Sequence, residues 1–445
     1  MHKKSIVHVI TKSRMKSEAF TAEIDAMEEL SENYWIKNVI FYKGDTIEYK
    51  DLISKLEKFG ILLYNYSNKE DLKEKVWELN KEFEVVFIYT PLELLINTVN
   101  ELKVALWYAV SDHPNIFRDK YLQRCLIQEH NESLGIKFLE WMPEELNIEE
   151  IEEKIWYPFI IKPVDGVQSA WVAKVNERED FLKYLESYNN LHDVLKDNGI
   201  DNKMLIVEEF IDGNLYSIDY FISSEWDITI SKPLKVRLWI DIDVNDYCNI
   251  ARIASEKTEW EFKGKKVKTF INSTVKATGI RNTFVHHEFK INTKGELKTI
   301  ELNGRIWGWR LEVMKAAYDI NLYEFIVKSD LKPLKLKTNN IAINIYATKK
   351  WLFKGFNNKL LATIKKRKTV YCVDKEESYV WKEIWLTKDG FKKVWIIKME
   401  SNSYNSIRKD YLYIKTKYKE LLHINEHKKK GKKGILEKFS NIFKK

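Results

Sequence analysis

The sequence predicts a protein of several units, parallel α/β at its start and α+β from about residue 116 onward. Two observations carry this reading. Apolar, β-type runs alternate with charged amphipathic stretches in the first part, and the pattern then changes to strands separated by turns, with helices between them. The length of 445 residues agrees, because one hydrophobic core rarely extends so far.

In the first unit, strands are expected at 5–11, 35–42, 61–66 and 84–89, each followed by a helical stretch, at 17–30, 51–58, 69–81 and 92–108. No G-x-G-x-x-G follows the first strand, so nothing marks a dinucleotide site there. A helix is expected at 117–130, and strands at 159–162, 172–175, 204–210, 215–223, 227–234, 283–291 and 297–303. Antiparallel pairing should dominate these. A further unit begins near Leu331, with strands at 341–347 and 394–399. The expected division is 1–115, 116–330, 331–425 and a basic tail at 426–445, with no internal repeat.

Hydrophobic residues at 44% and charged residues at 31% fit a folded chain with a solvated surface. The apolar runs are too short for a membrane span, and the start has no secretory pattern. Cys125, Cys248 and Cys372 are far apart and lack C-x-x-C spacing, so a cytoplasmic location without disulfides or zinc is expected. The net charge of +8 is misleading until it is located. Residues 428–445 hold eight lysines and one glutamate, so +7 lies in the tail and the body is nearly neutral. No nucleic-acid partner is expected.

The chemistry concentrates in 285–305. Val285-His-His-Glu288-Phe-Lys-Ile291 and Leu297-Lys-Thr-Ile-Glu301-Leu-Asn303-Gly-Arg305 flank a Gly-containing turn, which predicts a hairpin. Alternation along a strand projects Glu301, Asn303 and Arg305 from one face, with Glu288 able to approach from the partner strand. Two carboxylates and an amide are hard oxygen ligands, suited to Mg²⁺ beside nucleotide phosphates. Arg305 would stand where charge builds during phosphoryl transfer. An ordinary exposed strand face is the alternative from spacing alone.

Over roughly residues 85–330 the sequence resembles the ATP-grasp superfamily, in particular its carboxylate-amine ligases. Lys120, after Asp119, looks like the family's first phosphate-binding lysine, and Lys162, in Pro158-Phe-Ile-Ile-Lys162-Pro163, like the second. Asp165-Gly166-Val-Gln-Ser169 resembles the phosphate loop, and Val207-Glu208-Glu209-Phe210-Ile211 the hinge strand at the adenine edge. Glu288, Glu301 and Asn303 resemble its metal ligands, and Arg305 its catalytic arginine. The resemblance implies an ATP-grasp fold with an N-terminal parallel α/β domain, a central ATP-binding α+β domain and a C-terminal extension. It also implies ATP and Mg²⁺ as cofactors.

Two positions depart from the pattern. Ala170-Trp171 follow Ser169 where further small residues are usual, and Leu215 stands where many amino-acid ligases have an acid. The implied reaction joins a carboxylate, of an amino acid or peptide, to an amine through an acyl phosphate, releasing ADP and phosphate. A nucleotide-binding module without catalysis and a ligase for another nucleophile are the alternatives. Nothing here resembles the residues that activate bicarbonate in the biotin-carboxylase branch. Trp307, Trp309 and the arginines Arg310 and Arg281 are candidates for a substrate pocket with a carboxylate clamp. In the tail, apolar residues at 435, 436, 439, 442 and 443 share a helical face beside the lysines. Peripheral contact with an anionic membrane is one expectation for it, and a solvated or docked tail the other. The oligomeric state stays open, a homodimer included.

Overall fold

A computed structural model describes residues 3–44, 50–143, 145, 147–166, 171–196, 203–242, 247–306, 308–329, 334–347, 351–375, 383–384 and 393–425. The first unit is a parallel sheet of β1 (Lys3–Thr11), β2 (Lys37–Lys43), β3 (Leu62–Tyr66) and β4 (Phe83–Tyr89), in the order β3-β2-β1-β4. Helices α1 (Glu18–Tyr34), α2 (Lys50–Lys58), α3 (Lys69–Glu82) and α4 (Ile96–Ala105) cover it. Ile6, Ile10 and Ile40 pack with Phe20, Ile24 and Met27 of α1, while Val7, Val9 and Val39 pack with α3 and α4. Burial on both faces explains why Ile6 and Val7, and again Val9 and Ile10, of β1 are apolar on successive positions instead of alternating with polar ones.

The central part contains two antiparallel sheets. The smaller is built from β5 (Phe138–Trp141), β6 (Phe159–Pro163), β7 (Ala173–Val175) and β8 (Leu205–Glu209), in the order β5-β8-β6-β7. Phe159, Ile161, Leu205 and Val207 point to one face, where Ile151 of α6 (Ile148–Lys154) and Phe181 of α7 (Arg178–Lys196) bury them. By alternation the opposite face presents Ile160, Lys162, Ile206 and Glu208.

The larger sheet has nine strands: β9 (Asn214–Ile222), β10 (Ile228–Ile230), β11 (Leu234–Leu238), β12 (Asn249–Ala254), β13 (Thr283–Ile291), β14 (Leu297–Asn303), β15 (Asn339–Tyr346), β17 (Val370–Lys375) and β19 (Lys393–Ser401). Its order is β14-β13-β9-β11-β12-β15-β19-β17, with β10 beside the second half of β9. The single strand expected at 227–234 is therefore two. Pro233, which has no N–H to give a ladder, stands in the break before β11.

Helices α5 (Lys120–His130), α8 (Glu256–Glu261) and α9 (Val267–Thr278) lie in the central part, and α10 (Arg310–Tyr318) joins it to the first unit. Leu311, Val313 and Met314 of α10 share a core with Phe20 and Ile24 of α1. The sheet continues past residue 330, since Ala251 of β12 pairs with Ile343 of β15. Beyond it, α11 (Asn358–Lys365) and α12 (Tyr404–Lys417) pack on β12, β15 and β19, and β16 (Trp351–Phe356), β18 (Glu383–Ile384) and β20 (Leu422–Asn425) form a small sheet. Among the described residues no helix is long and apolar enough to cross a membrane.

The first unit is tied to the hairpin by aromatic packing of Phe87 and Tyr89 on Phe284, and by one buried lysine. Lys103 of α4 donates to the Asn282 carbonyl at 2.7 Å and lies 4.6 Å from the Phe87 ring centre. Burial pushes its ammonium down from 10.5 to about 7. A lysine depressed in this way destabilises the fold fully below about pH 7, where the charged form must be buried. The penalty fades as pH rises toward the unfolded value. Lys103→Met is expected to stabilise the chain most at pH 6 to 7 and progressively less toward pH 10, measured by denaturant unfolding across that range. An advantage that grew with pH would contradict the assignment.

Candidate active site

The cleft lies between the two central sheets, with about 820 Å³ of open space. Lys120, Lys162, Gly166, Glu208, Glu288 and Glu301 give it polar walls, and Ile136, Ile160, Val172, Leu215, Leu238 and Ile300 give it apolar ones. A flat apolar slot beside a charged patch is the usual chemistry of a nucleotide site.

Each charged group is placed by its element. Asp119 caps α5 by accepting from the Leu122 N–H at 2.8 Å, so the helix begins at Lys120 and not at 117. Lys120 then donates to the Gly166 carbonyl at 2.6 Å and pairs with Glu301 at 3.0 Å. Lys162, on the cleft face of β6, pairs with Glu208 of β8 at 2.8 Å. One turn along α5, Arg124 donates its Nε to the other oxygen of Glu208 at 2.9 Å and a second N–H to the Ile300 carbonyl. Burial alone would raise the Glu301 carboxyl, but Lys120 and Lys162 hold it at about 2. Burial also opposes ionisation of Glu208, and Arg124 and Lys162 overcome it.

The hairpin forms with Glu288 opposite Glu301 and His286 opposite Asn303. Val285, His287 and Phe289 turn toward α9, which leaves His286 and Glu288 on the other face. The three expected oxygen donors therefore share one side of β13 and β14. Among the described residues the buried Asn303 Oδ1 has no hydrogen-bond partner, as is expected of an oxygen reserved for a ligand. Among the described residues no three His, Cys, Asp or Glu side chains gather into a metal-binding group.

Arg305 does not line the cleft described above. It is 5% exposed and donates to Glu93 of the first unit at 2.7 Å, while Tyr89 Oη accepts from the Ile306 N–H at 3.1 Å. Gly304 fits because a Cβ there would meet the buried Phe117 ring at 2.6 to 2.9 Å.

On the hinge strand, Glu209, Phe210 and Ile211 line the cleft with Glu208. Glu208 is committed to Lys162 and Arg124, so its carboxylate holds the Lys162 ammonium in place. Phe210 has Lys174 at 4.1 Å and Lys290 at 4.8 Å from its ring centre, and Lys290 also donates to the Ile211 carbonyl at 2.6 Å. Burial pushes Lys290 down to about 8.

The substrate arginines expected from the sequence are not brought into the cleft. Arg310 is fully buried and bonded to Asp219 and Ser217, with His286 Nδ1 on the same carboxylate at 2.8 Å. A guanidinium so enclosed has no face left for a substrate carboxylate. Arg281 donates to the Val110 carbonyl at 2.9 Å and lies near Asp112 and Trp226, away from the cleft. Ser169, Trp307 and the tail at 426–445 lie outside the described residues. Sequence reasoning missed Arg124, Glu93 and Lys290. Arg124 was findable, four residues after Lys120 on one helix face.

Residues 155–312 match the sequence pattern of the ATP-grasp domain. The L-amino acid ligase of Bacillus licheniformis superposes with a TM-score of 0.69 at 16% identity, over 96% of this chain and 100% of that one. The N5-carboxyaminoimidazole synthetase of Staphylococcus aureus gives 0.60 at 13% identity, over 93% and 97%. A biotin carboxylase domain from Hydrogenobacter thermophilus, in complex with MgADP, ADP and bicarbonate, gives 0.58 at 14% identity, over 96% and 91%. No curated protein matches the chain in sequence. The chain carries an ATP-grasp domain and has the ATP-grasp fold, with a parallel α/β unit before it and further strands after it.

Two outcomes follow from the packing. Glu208→Gln leaves Arg124 and Lys162 buried around a neutral amide, and should cost about 3 kcal/mol of stability by denaturant unfolding. Gly304→Ala should lower the thermal midpoint while circular dichroism still shows a folded chain, because the crowded Cβ must displace Phe117 or the backbone between Asn303 and Arg305.

Proposed function

We propose that the protein binds ATP in the cleft and joins a carboxylate to an amine, releasing ADP and phosphate. The observation that carries this is that Lys120 of α5, Lys162 of the smaller sheet and Glu288 and Glu301 of the larger one line a single cleft, with Asn303 two residues along β14 from Glu301 on the same strand face. In this reading the two lysines hold the phosphates, and the apolar walls beside Phe210 take the adenine. Glu288, Glu301 and Asn303 suit Mg²⁺, since two carboxylates and an orphaned amide oxygen form a hard donor set. Bound there, Mg²⁺ would neutralise phosphate charge.

The substrate carboxylate attacks the γ-phosphate, ADP leaves, and an amine then displaces phosphate from the acyl phosphate to give the amide. Arg305, which stands outside the cleft lining on Glu93, would turn from that carboxylate to stabilise the charge that develops on the acyl oxygens. The likeness to the L-amino acid ligase supports an amino acid or peptide as the carboxylate.

The test is ADP release over a panel of amino-acid pairs, with mass spectrometry of the products. Stoichiometric AMP and pyrophosphate would remove the acyl-phosphate mechanism. Arg305→Ala is expected to lower turnover by about 10² to 10³ while ATP binding largely survives. Wild-type turnover in that variant would refute its role.

A further inference from the structure

Among the described residues, seven that are not glycine have a positive φ, and five of them are tryptophans: Trp35 (58°), Trp107 (64°), Trp156 (64°), Trp171 (56°) and Trp226 (69°). The other two, Asn282 and Asp319, are types that visit this region routinely. For a bulky side chain it is an outlier. Tryptophan supplies only 15 of 445 residues, so five of seven is far from its share.

The hydrogen bonding shows what these positions are. At the end of α4, Leu106 N bonds to Leu102 O, Trp107 N to Val104 O and Tyr108 N to Lys103 O. At the end of α2 the same three bonds recur as Phe59 N to Lys55 O, Gly60 N to Glu57 O and Ile61 N to Leu56 O, with Gly60 in the place of Trp107. Trp35 closes α1 with its N–H on the carbonyl four residues back, as Gly279 closes α9. In the turn between β9 and β10, Ser223 N bonds to Asp227 O and Trp226 N to Ser223 O. Between β13 and β14 the bonds are Asn292 N to Glu296 O and Gly295 N to Asn292 O. Three tryptophans thus occupy, bond for bond, positions that the same chain elsewhere fills with glycine, where a left-handed helix end or bulged turn requires it.

Trp35 and Trp107 have little to do there, whereas Trp156 meets the neighbouring Tyr157 ring and Trp226 has the Arg281 guanidinium near its ring. Trp35 is 88% exposed, Trp107 90%, Trp156 62% and Trp226 41%. Trp239 is the contrast, fully buried, with its indole N–H donated to Tyr418 Oη at 3.2 Å. Trp171 is intermediate. Its ring meets Tyr184 and Tyr188 edge-on, but its backbone is left-handed and immediately precedes Val172 of the nucleotide cleft.

We propose that positions 35, 107, 156, 171 and 226 are glycine positions of this fold. The polypeptide made in its own cells carries glycine there, the codon read as tryptophan being decoded as glycine, whereas Trp239 is a true tryptophan. The consequence for the site is a small, conformationally free residue beside Val172, where close backbone approach to phosphate is needed.

The test is peptide fragmentation mass spectrometry of the protein isolated from the cells that make it. Glycine at the five positions with tryptophan at 239 is the expected result, and tryptophan at all six overturns the decoding. The conformational basis is tested separately on the chain made with tryptophan, by replacing all five with glycine or all five with alanine. The glycine set should raise the thermal midpoint by an amount on the order of 10 °C over the alanine set, which removes the indoles and keeps the left-handed cost. Equal midpoints for the two sets would overturn the assignment of these sites to glycine.

Discussion

The arrangement depends on one constraint, that charge taken out of water must be paired. Arg124, Lys162 and Glu208 are all nearly inaccessible, and they come from α5, β6 and β8. Lys120 and Glu301 extend the chain of pairs from α5 to β14. The smaller sheet, the helix and the hairpin edge are therefore joined by a few ion pairs across the cleft floor, not by apolar contact alone. Such a group cannot be dismantled one member at a time, because each removal leaves a buried charge uncompensated.

A second constraint is the two-residue period of the hairpin. On β13, Val285, His287 and Phe289 enter the core with Phe270 of α9, so His286 and Glu288 must face the other way. That other side is not a simple surface. His286 and Arg310 both bind Asp219 in a fully buried cluster, and His286 Nε2 stands 3.6 Å from Glu288. The cluster backs the donor row and limits how Glu288 can move. It explains why Arg310, close in sequence to Arg305, has a different task.

Much of this was legible in the sequence because it is local. Alternation in 285–305 gave the facing of Glu288, Glu301 and Asn303, and the β-type runs of the first unit gave its strands. What was not legible depends on packing between distant segments. Glu93 meets Arg305 only because the first unit docks on the hairpin, and no period in the sequence announces a partner more than two hundred residues away. Arg310 read as a clamp for a substrate carboxylate, and the carboxylate that it binds instead, Asp219, lies on β9 far away in sequence. The strands β5, β12, β16 and β17 were not among those expected, since their few apolar residues gain their partners only from distant strands. Trp35 shows a local signal misread: the strand begins at Lys37 because the residue at 35 ends the preceding helix.

The pairing also bears on how the proposed ligand would enter. Lys120 and Lys162 each already have a carboxylate, Glu301 and Glu208, at 3.0 and 2.8 Å. The two carboxylates are not equivalent. Glu208 is shared with Arg124, so it stays compensated whatever Lys162 does, and it can keep that lysine aimed into the cleft. Glu301 has one direct ion pair among the described residues, with Lys120, while Lys162 acts on it from further away, and it belongs to the row that would suit a metal ion. If phosphate takes Lys120, Glu301 loses its counter-charge at the moment when a cation bound with the nucleotide can replace it. The same exchange would leave Asn303 Oδ1 satisfied and the half-buried Glu301 carboxylate paired. On this argument nucleotide and metal bind better together than either alone, since each supplies the charge that the other displaces.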